Sequence, residues 1–296
     1  MGDVLAGFHA VWEFESDSVL IRYERGIRTP KLFQALGERR VPLSALEGVT
    51  LAPGRRGTVV MRLDVRAGAD PLLEAAAGQL REGCDPYRLV LPAERETLAE
   101  YYADELKGLL AESGPVDRFL VEAPGAPLHF KAYDGKASFD GTRVRFRWSW
   151  TGASSAKWKA GDQSFAVADL SGVEWRSPEV FEGHLRLLRR STESGGSSAL
   201  QTAQPVQPVQ PVPPDQDPAA VVFGLGYGPV HESLPFAAAV LAAVRTRGPV
   251  PVAPAPARRD PADIAERIRH LGELHQAGLV TDEEFSSKKA ELLAEL

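Results

Sequence analysis

Two stretches, Phe14-Glu-Ser-Asp-Ser-Val19-Leu-Ile-Arg22-Tyr23 and Phe139-Asp-Gly-Thr-Arg-Val144-Arg-Phe-Arg147-Trp148, run side by side without a gap, about 125 residues apart. The correspondence continues in order. Val41-Pro-Leu-Ser-Ala-Leu46-Glu-Gly48-Val49-Thr-Leu51 lies beside Phe165-Ala-Val-Ala-Asp-Leu170-Ser-Gly172-Val173-Glu-Trp175, and Gly57-Thr-Val59-Val-Met61 beside Gly183-His-Leu185-Arg-Leu187. Few identities remain, but size and polarity survive at most positions, as in an old duplication of a whole domain. A duplicated fold repeats a binding surface more naturally than it builds one catalytic centre.

Around these anchors the pattern is strand-like. Val11, Glu13 and Glu15 oppose Ala10, Trp12 and Phe14, and Val19, Ile21 and Tyr23 follow a turn at Ser16 and Asp17. A basic loop is expected over 25–40, then strands over 40–43, 46–52 and 58–66. Asp70 and Pro71 read as N-cap and first residue of a short helix. A strand is expected over 87–91. An amphipathic helix follows over 94–110, its apolar side formed by Leu98, Tyr101, Tyr102, Leu106, Leu109 and Leu110. The second copy repeats the plan and ends in a strand over 221–223 and a helix from near Pro235.

Antiparallel strands closed by one C-terminal helix, twice over, make an α+β pattern. A small bent barrel capped by a helix, as in PH-like domains, fits it, and so does a flat sheet with a helix across it. The expected division is a first copy at 5–112, a second at 126–247, a Pro/Ala linker at 248–259 and a helical hairpin at 260–296. Within the second copy, Ser/Gly-rich sequence and three Gln-Pro-Val repeats predict a disordered insertion at 191–217. It stands where the first copy inserts 67–86. The expected cores are equivalent: Trp12, Phe14, Val19, Ile21, Leu46, Val49 and Leu51 in the first copy, Phe139, Val144, Phe146, Leu170, Val173 and Trp175 in the second.

Composition excludes some classes. The chain has 296 residues, a net charge of −6 and one cysteine, so neither a basic nucleic-acid binder nor a disulfide framework is indicated. The N-terminus lacks a signal-peptide pattern, and Ala6 stands where an N-myristoylation motif needs Ser or Thr. The longest apolar run, 236–244, is too short to span a bilayer. A cytoplasmic protein is expected, with peripheral attachment to a membrane as an option.

Arg143, Arg145 and Arg147 alternate with Val144, Phe146 and Trp148, with Trp150 continuing the apolar side. The three Arg form either a solvated outer face or an anion-binding surface. The loop after each hairpin is basic: Arg25, Arg28, Lys31, Arg39 and Arg40 in the first copy, Lys157 and Lys159 in the second. Phe33 and Trp158 are either apolar companions of these cations at an anionic surface or plugs of the core. Gly224-Leu-Gly226-Tyr-Gly228 lacks the spacing and the following strand of a dinucleotide-binding turn, and reads as a flexible turn. The scattered histidines, the lone cysteine and the absence of a recurring catalytic set point to no catalytic, metal or cofactor residues.

The tail carries two helix starts. Asp260-Pro261-Ala-Asp263 caps one helix and Thr281-Asp-Glu-Glu284 the next, with Gly278 between them. Ile264, Ile268, Leu271, Leu274, Phe285, Leu292 and Leu293 make its apolar seam. A hairpin this short needs another copy or a partner to cover that seam.

Ala277-Gly-Leu-Val-Thr281-Asp-Glu-Glu-Phe285 and its flanks resemble the short C-terminal domain called SHOCT. Val11-Trp-Glu-Phe14, Leu36-Gly-Glu-Arg-Arg-Val-Pro-Leu43, Gly68-Ala-Asp-Pro-Leu72, Asp85-Pro-Tyr-Arg-Leu89, Phe139-Asp-Gly141 and Val173-Glu-Trp-Arg176 resemble a bacterial family of tandem PH-like domains that often ends in SHOCT. The resemblance implies no activity, only oligomerisation or localisation through the tail. The expectation is therefore a non-enzymatic adaptor or scaffold. It would bind a protein partner or anionic surface through its two copies and self-associate through the hairpin. A nucleic-acid binder using the basic face of the second copy, or an enzyme at the cleft between copies, are the alternatives.

Overall fold

A computed structural model describes residues 3–110, 113–190 and 212–246. In the first copy β1 (Asp3–Ala6), β2 (Ala10–Phe14) and β3 (Ser18–Tyr23) lead to the short helix α1 (Lys31–Leu36) and then β4 (Glu38–Pro42). Next come β5 (Leu46–Pro53), β6 (Thr58–Val65), α2 (Pro71–Ala76), β7 (Arg88–Pro92) and α3 (Glu96–Leu109). The second copy follows the same order, without a counterpart of α2 among the described residues. It runs through β8 (Leu128–Lys131), β9 (Gly135–Phe139), β10 (Arg143–Trp148), α4 (Ser155–Ala160), β11 (Gln163–Ala166), β12 (Leu170–Arg176), β13 (His184–Arg189), β14 (Ala220–Val222) and α5 (Val230–Thr246).

Each copy is a four-stranded antiparallel sheet, β1-β2-β3-β4 or β8-β9-β10-β11, followed by a three-stranded one, β5-β6-β7 or β12-β13-β14. The fold is α+β, two antiparallel-sheet halves with helices packed on them. In the first copy Trp12, Ile21, Met61, Leu63, Leu89 and Leu106 share one core. In the second, Phe130, Phe146, Trp175, Leu185, Phe236 and Val240 share another. Of the expected core, Phe14, Leu51 and Val173 are only partly buried, at the core margin, and the rest are buried.

The two closing helices differ. α3 buries Ala99, Tyr102, Ala103 and Leu106, whereas Leu98, Tyr101 and Leu109, expected on its apolar side, are exposed. α5 is apolar on nearly all sides, the mark of a helix covered all round. The second copy's sheets cover one side of it and α1 and α2 of the first copy the other, so Leu32, Leu72, Ala75 and Ala76 join the second core. Inside it, the buried Ser233 hydroxyl donates to a carbonyl at the helix start and accepts from Trp175 Nε1 at 3.1 Å. Gln79, beyond α2, extends the junction. Its Nε2 donates to the Trp175 carbonyl at 3.0 Å and its Oε1 accepts from the Ser177 amide at 2.9 Å. The described residues of the two copies therefore form one body around a shared core.

Asp70 caps α2 as the sequence predicts, its carboxylate accepting from the Leu72 amide. The stretch expected as a basic loop instead holds α1 and the start of β4. Leu32 and Phe33 bury there, and Gly37, at φ 66°, stops the helix. The end of the expected insertion also has a place. Residues 212–217 form a turn held by Arg186, which donates to the Val212 carbonyl and pairs with Asp217, and by Ser154, which donates to the Asp215 carbonyl. Residues 191–211 and the whole hairpin, with Ile264, Ile268, Leu271, Leu274, Phe285, Leu292 and Leu293, lie outside the described residues.

Candidate functional site

The outer face of the second copy's four-stranded sheet carries a run of cations. Alternation sends Phe130, Ala137 and Phe146 inward and leaves Lys131, Lys136 and Arg147 outside. Register makes them a row: Lys131 lies opposite Lys136 and Lys136 opposite Arg147. Directly opposed like charges destabilise a sheet. Arg147 has a carboxylate in reach, Asp162 at 3.4 Å. Lys131 lies over the Tyr227 ring at 5.2 Å. Among the described residues neither lysine has an ion-pair partner. The row borders a pocket of about 470 Å³ that His129, Trp148, Ser149 and Glu232 also line.

In the first copy the same row reads Ala6, Val11, Arg22 and Glu38. Its single cation is neutralised twice, by Glu13 at 2.5 Å and Glu38 at 3.1 Å. Arg40 pairs with Glu15. One copy therefore carries a balanced outer face, the other an excess of positive charge.

The twelve residues expected on an anion or partner surface separate accordingly. Arg25, Arg28 and Lys31 are exposed near the start of α1. Arg143 donates to Ser164 Oγ at 3.2 Å, and Arg145 and Arg147 face Asp140 and Asp162 at 3.5 and 3.4 Å, all on the exposed face. Three of the twelve are not surface residues. Phe33 is buried and stacks on Tyr23 at 4.8 Å. Arg39 is buried because β4 turns it inward, where its guanidinium donates to Asp70 at 2.7 Å. The Tyr87 hydroxyl donates to the same carboxylate, also at 2.7 Å, and burial beside that charge drives the phenol well above its usual range. Lys157 is buried because α4 turns it under the sheet, onto Asp134 at 2.5 Å and over the Trp148 ring at 5.0 Å. Burial lowers the Lys157 ammonium and raises the Asp134 carboxyl, each partner opposing the other's shift.

Trp150, expected on the apolar side of β10, is the opposite case. The strand stops at Trp148, the Ser149 amide donates to the Asp134 carbonyl, and the following turn throws Trp150 outward, 81% exposed. There it meets Trp158, 48% exposed, edge to face at 5.1 Å. Lys159 is exposed beside Trp158.

A second concavity, about 660 Å³, opens at the junction of the copies between α1, residues 178–183 and the 223–228 turn. Its walls are mainly apolar, with Val180, Phe181, Phe223, Leu225 and Val230. Burial raises the Cys84 thiol and lowers His231. A thiol held protonated is a poor nucleophile. The Gly224–Gly228 stretch on its rim is a tight turn with the Tyr227 amide on the Gly224 carbonyl. Gly228 sits at φ 63°, where a Cβ would collide with the Phe223 ring.

Residues 12–107 and 137–241 each match one family model, described as Domain of unknown function (DUF4429). Residues 266–293 match the Short C-terminal domain, SHOCT. No curated protein matches the chain.

Proposed function

The chain belongs to the family described as Domain of unknown function (DUF4429), two copies followed by SHOCT, and we propose that it is a non-enzymatic adaptor that docks on an anionic membrane surface. In this reading each copy is a PH-like domain, its four strands, three strands and closing helix forming a bent, capped barrel. The first copy braces and the second docks. The observation that carries it is the exposed Trp150–Trp158 pair, on the copy whose sheet also presents Lys131 and Lys136, which have no ion-pair partner among the described residues. Indole rings favour the headgroup zone of a bilayer, and Lys and Arg are drawn to an anionic leaflet. Among the described residues no helix is long and apolar enough to cross a membrane, so attachment would be peripheral.

The SHOCT hairpin self-associates in this reading. Joining two or more bodies multiplies weak surface contacts into avidity. Co-sedimentation of the full chain with phosphatidylcholine vesicles containing phosphatidylserine tests the docking. Replacing Trp150 and Trp158 together by Ser should weaken binding about tenfold or more. Unchanged binding of that variant would refute the reading. Light scattering of the full chain against a truncation after Arg259 tests the tail, with a fall in mass expected.

A further inference from the structure

We infer that the cross-strand row Lys131–Lys136–Arg147 is a binding site for a phosphomonoester, the dianionic phosphate of a lipid headgroup or of a small soluble ester. This deepens the anionic-surface reading and rests on it for the lipid source only.

Three cations directly opposed on adjacent strands repel one another, and a sheet tolerates such a row best when an anion lies across it. Cβ atoms of opposed residues stand about 5 Å apart, so two lysines and one arginine can close on a single phosphate group. A phosphomonoester carries about two negative charges near neutral pH and three acceptor oxygens, a closer match to three cationic donors than a singly charged phosphodiester or carboxylate. Two carboxylates stand near the row. Asp162 stands at the end of the row beside Arg147, and Glu232 lines the same pocket, where its charge opposes an incoming anion. Ser149, in the same wall, adds a hydroxyl donor. The matching row of the first copy has one cation, Arg22, paired with Glu38 in the row and with Glu13 beside it, which makes that copy an internal control.

The test uses the full chain, with phosphatidylcholine vesicles carrying either phosphatidic acid, a phosphomonoester, or phosphatidylserine at matched surface charge. Glycerol 3-phosphate serves as the soluble probe. Phosphatidic acid should be preferred about tenfold or more. Lys136→Gln should abolish that preference with no fall in Tm, since it removes repulsion, and Arg22→Gln should leave it intact. Glu232→Gln should tighten binding. Glycerol 3-phosphate should compete, and its binding while neither vesicle binds would uphold the site with a soluble ligand and end the membrane reading. Equal binding to the two vesicles at matched charge, with Lys136→Gln no weaker than Arg22→Gln, would overturn the site and leave the membrane reading standing. No binding to any probe would overturn both.

Discussion

Between the sixth and seventh strands of the first copy the chain builds α2 and Gln79, which close over α5 and the β12 edge. Between the same strands of the second copy it instead carries the stretch that ends in the 212–217 turn. A second contrast lies on the four-stranded sheets, where carboxylates neutralise Arg22 in one copy while Lys131 and Lys136 have no ion-pair partner among the described residues in the other. A third is internal. The Phe33–Tyr23 ring stack of α1 becomes Lys157 over Trp148, tied to Asp134, in α4. Duplication supplied equivalent slots, and what fills them decides whether a copy braces its neighbour or faces outward.

The sharpest way to break the picture of one body is Phe236→Ala. This side chain meets Phe130 at 5.0 Å and belongs to the core that both copies share. The loss should be about 3–5 kcal/mol, and denaturation followed by fluorescence and by circular dichroism should show one coincident transition. Two separated transitions would mean that the copies fold independently.

Lys157→Met comes next, at about 3–5 kcal/mol, because it leaves the buried Asp134 charge without its partner. Adding Asp134→Asn should recover much of that loss. If the single change costs nothing in urea unfolding, the pair is not a buried one. At the junction, Gln79→Ala strands the Trp175 carbonyl and the Ser177 amide and should cost about 1–3 kcal/mol.

The smallest effect concerns the β9–β10 turn. The Asp140 carboxylate accepts from the Thr142 amide and hydroxyl and the Arg143 amide, which hold its pKa down at about 2. A depressed pKa means that the contribution is present above the ordinary aspartate range and lost as pH falls toward 2. Asp140→Asn should flatten that part of the acid limb in a stability–pH profile. Glu15, at the matching place in the first copy, pairs with Arg40 instead.

Much of this was legible in the sequence. The doubled motif indicated two equivalent strand-rich copies, and Asp70-Pro71 marked the start of α2. α1 escaped because a six-residue helix between Pro30 and Gly37 is too short to show a helical period. Lys157 and Arg39 read as surface charge because sequence does not reveal which carboxylate folds beneath them. Trp150 followed the alternation past the point where the strand ends. Lys131 and Lys136 drew no notice because a cross-strand row exists only once register is known.

The division of labour between copies is tested most directly by hydrogen–deuterium exchange of the full chain with and without anionic vesicles. Protection should appear over residues 128–136 and 147–159 of the second copy and be absent over 3–23 of the first. Equal protection in both copies, or protection confined to the first, would contradict it.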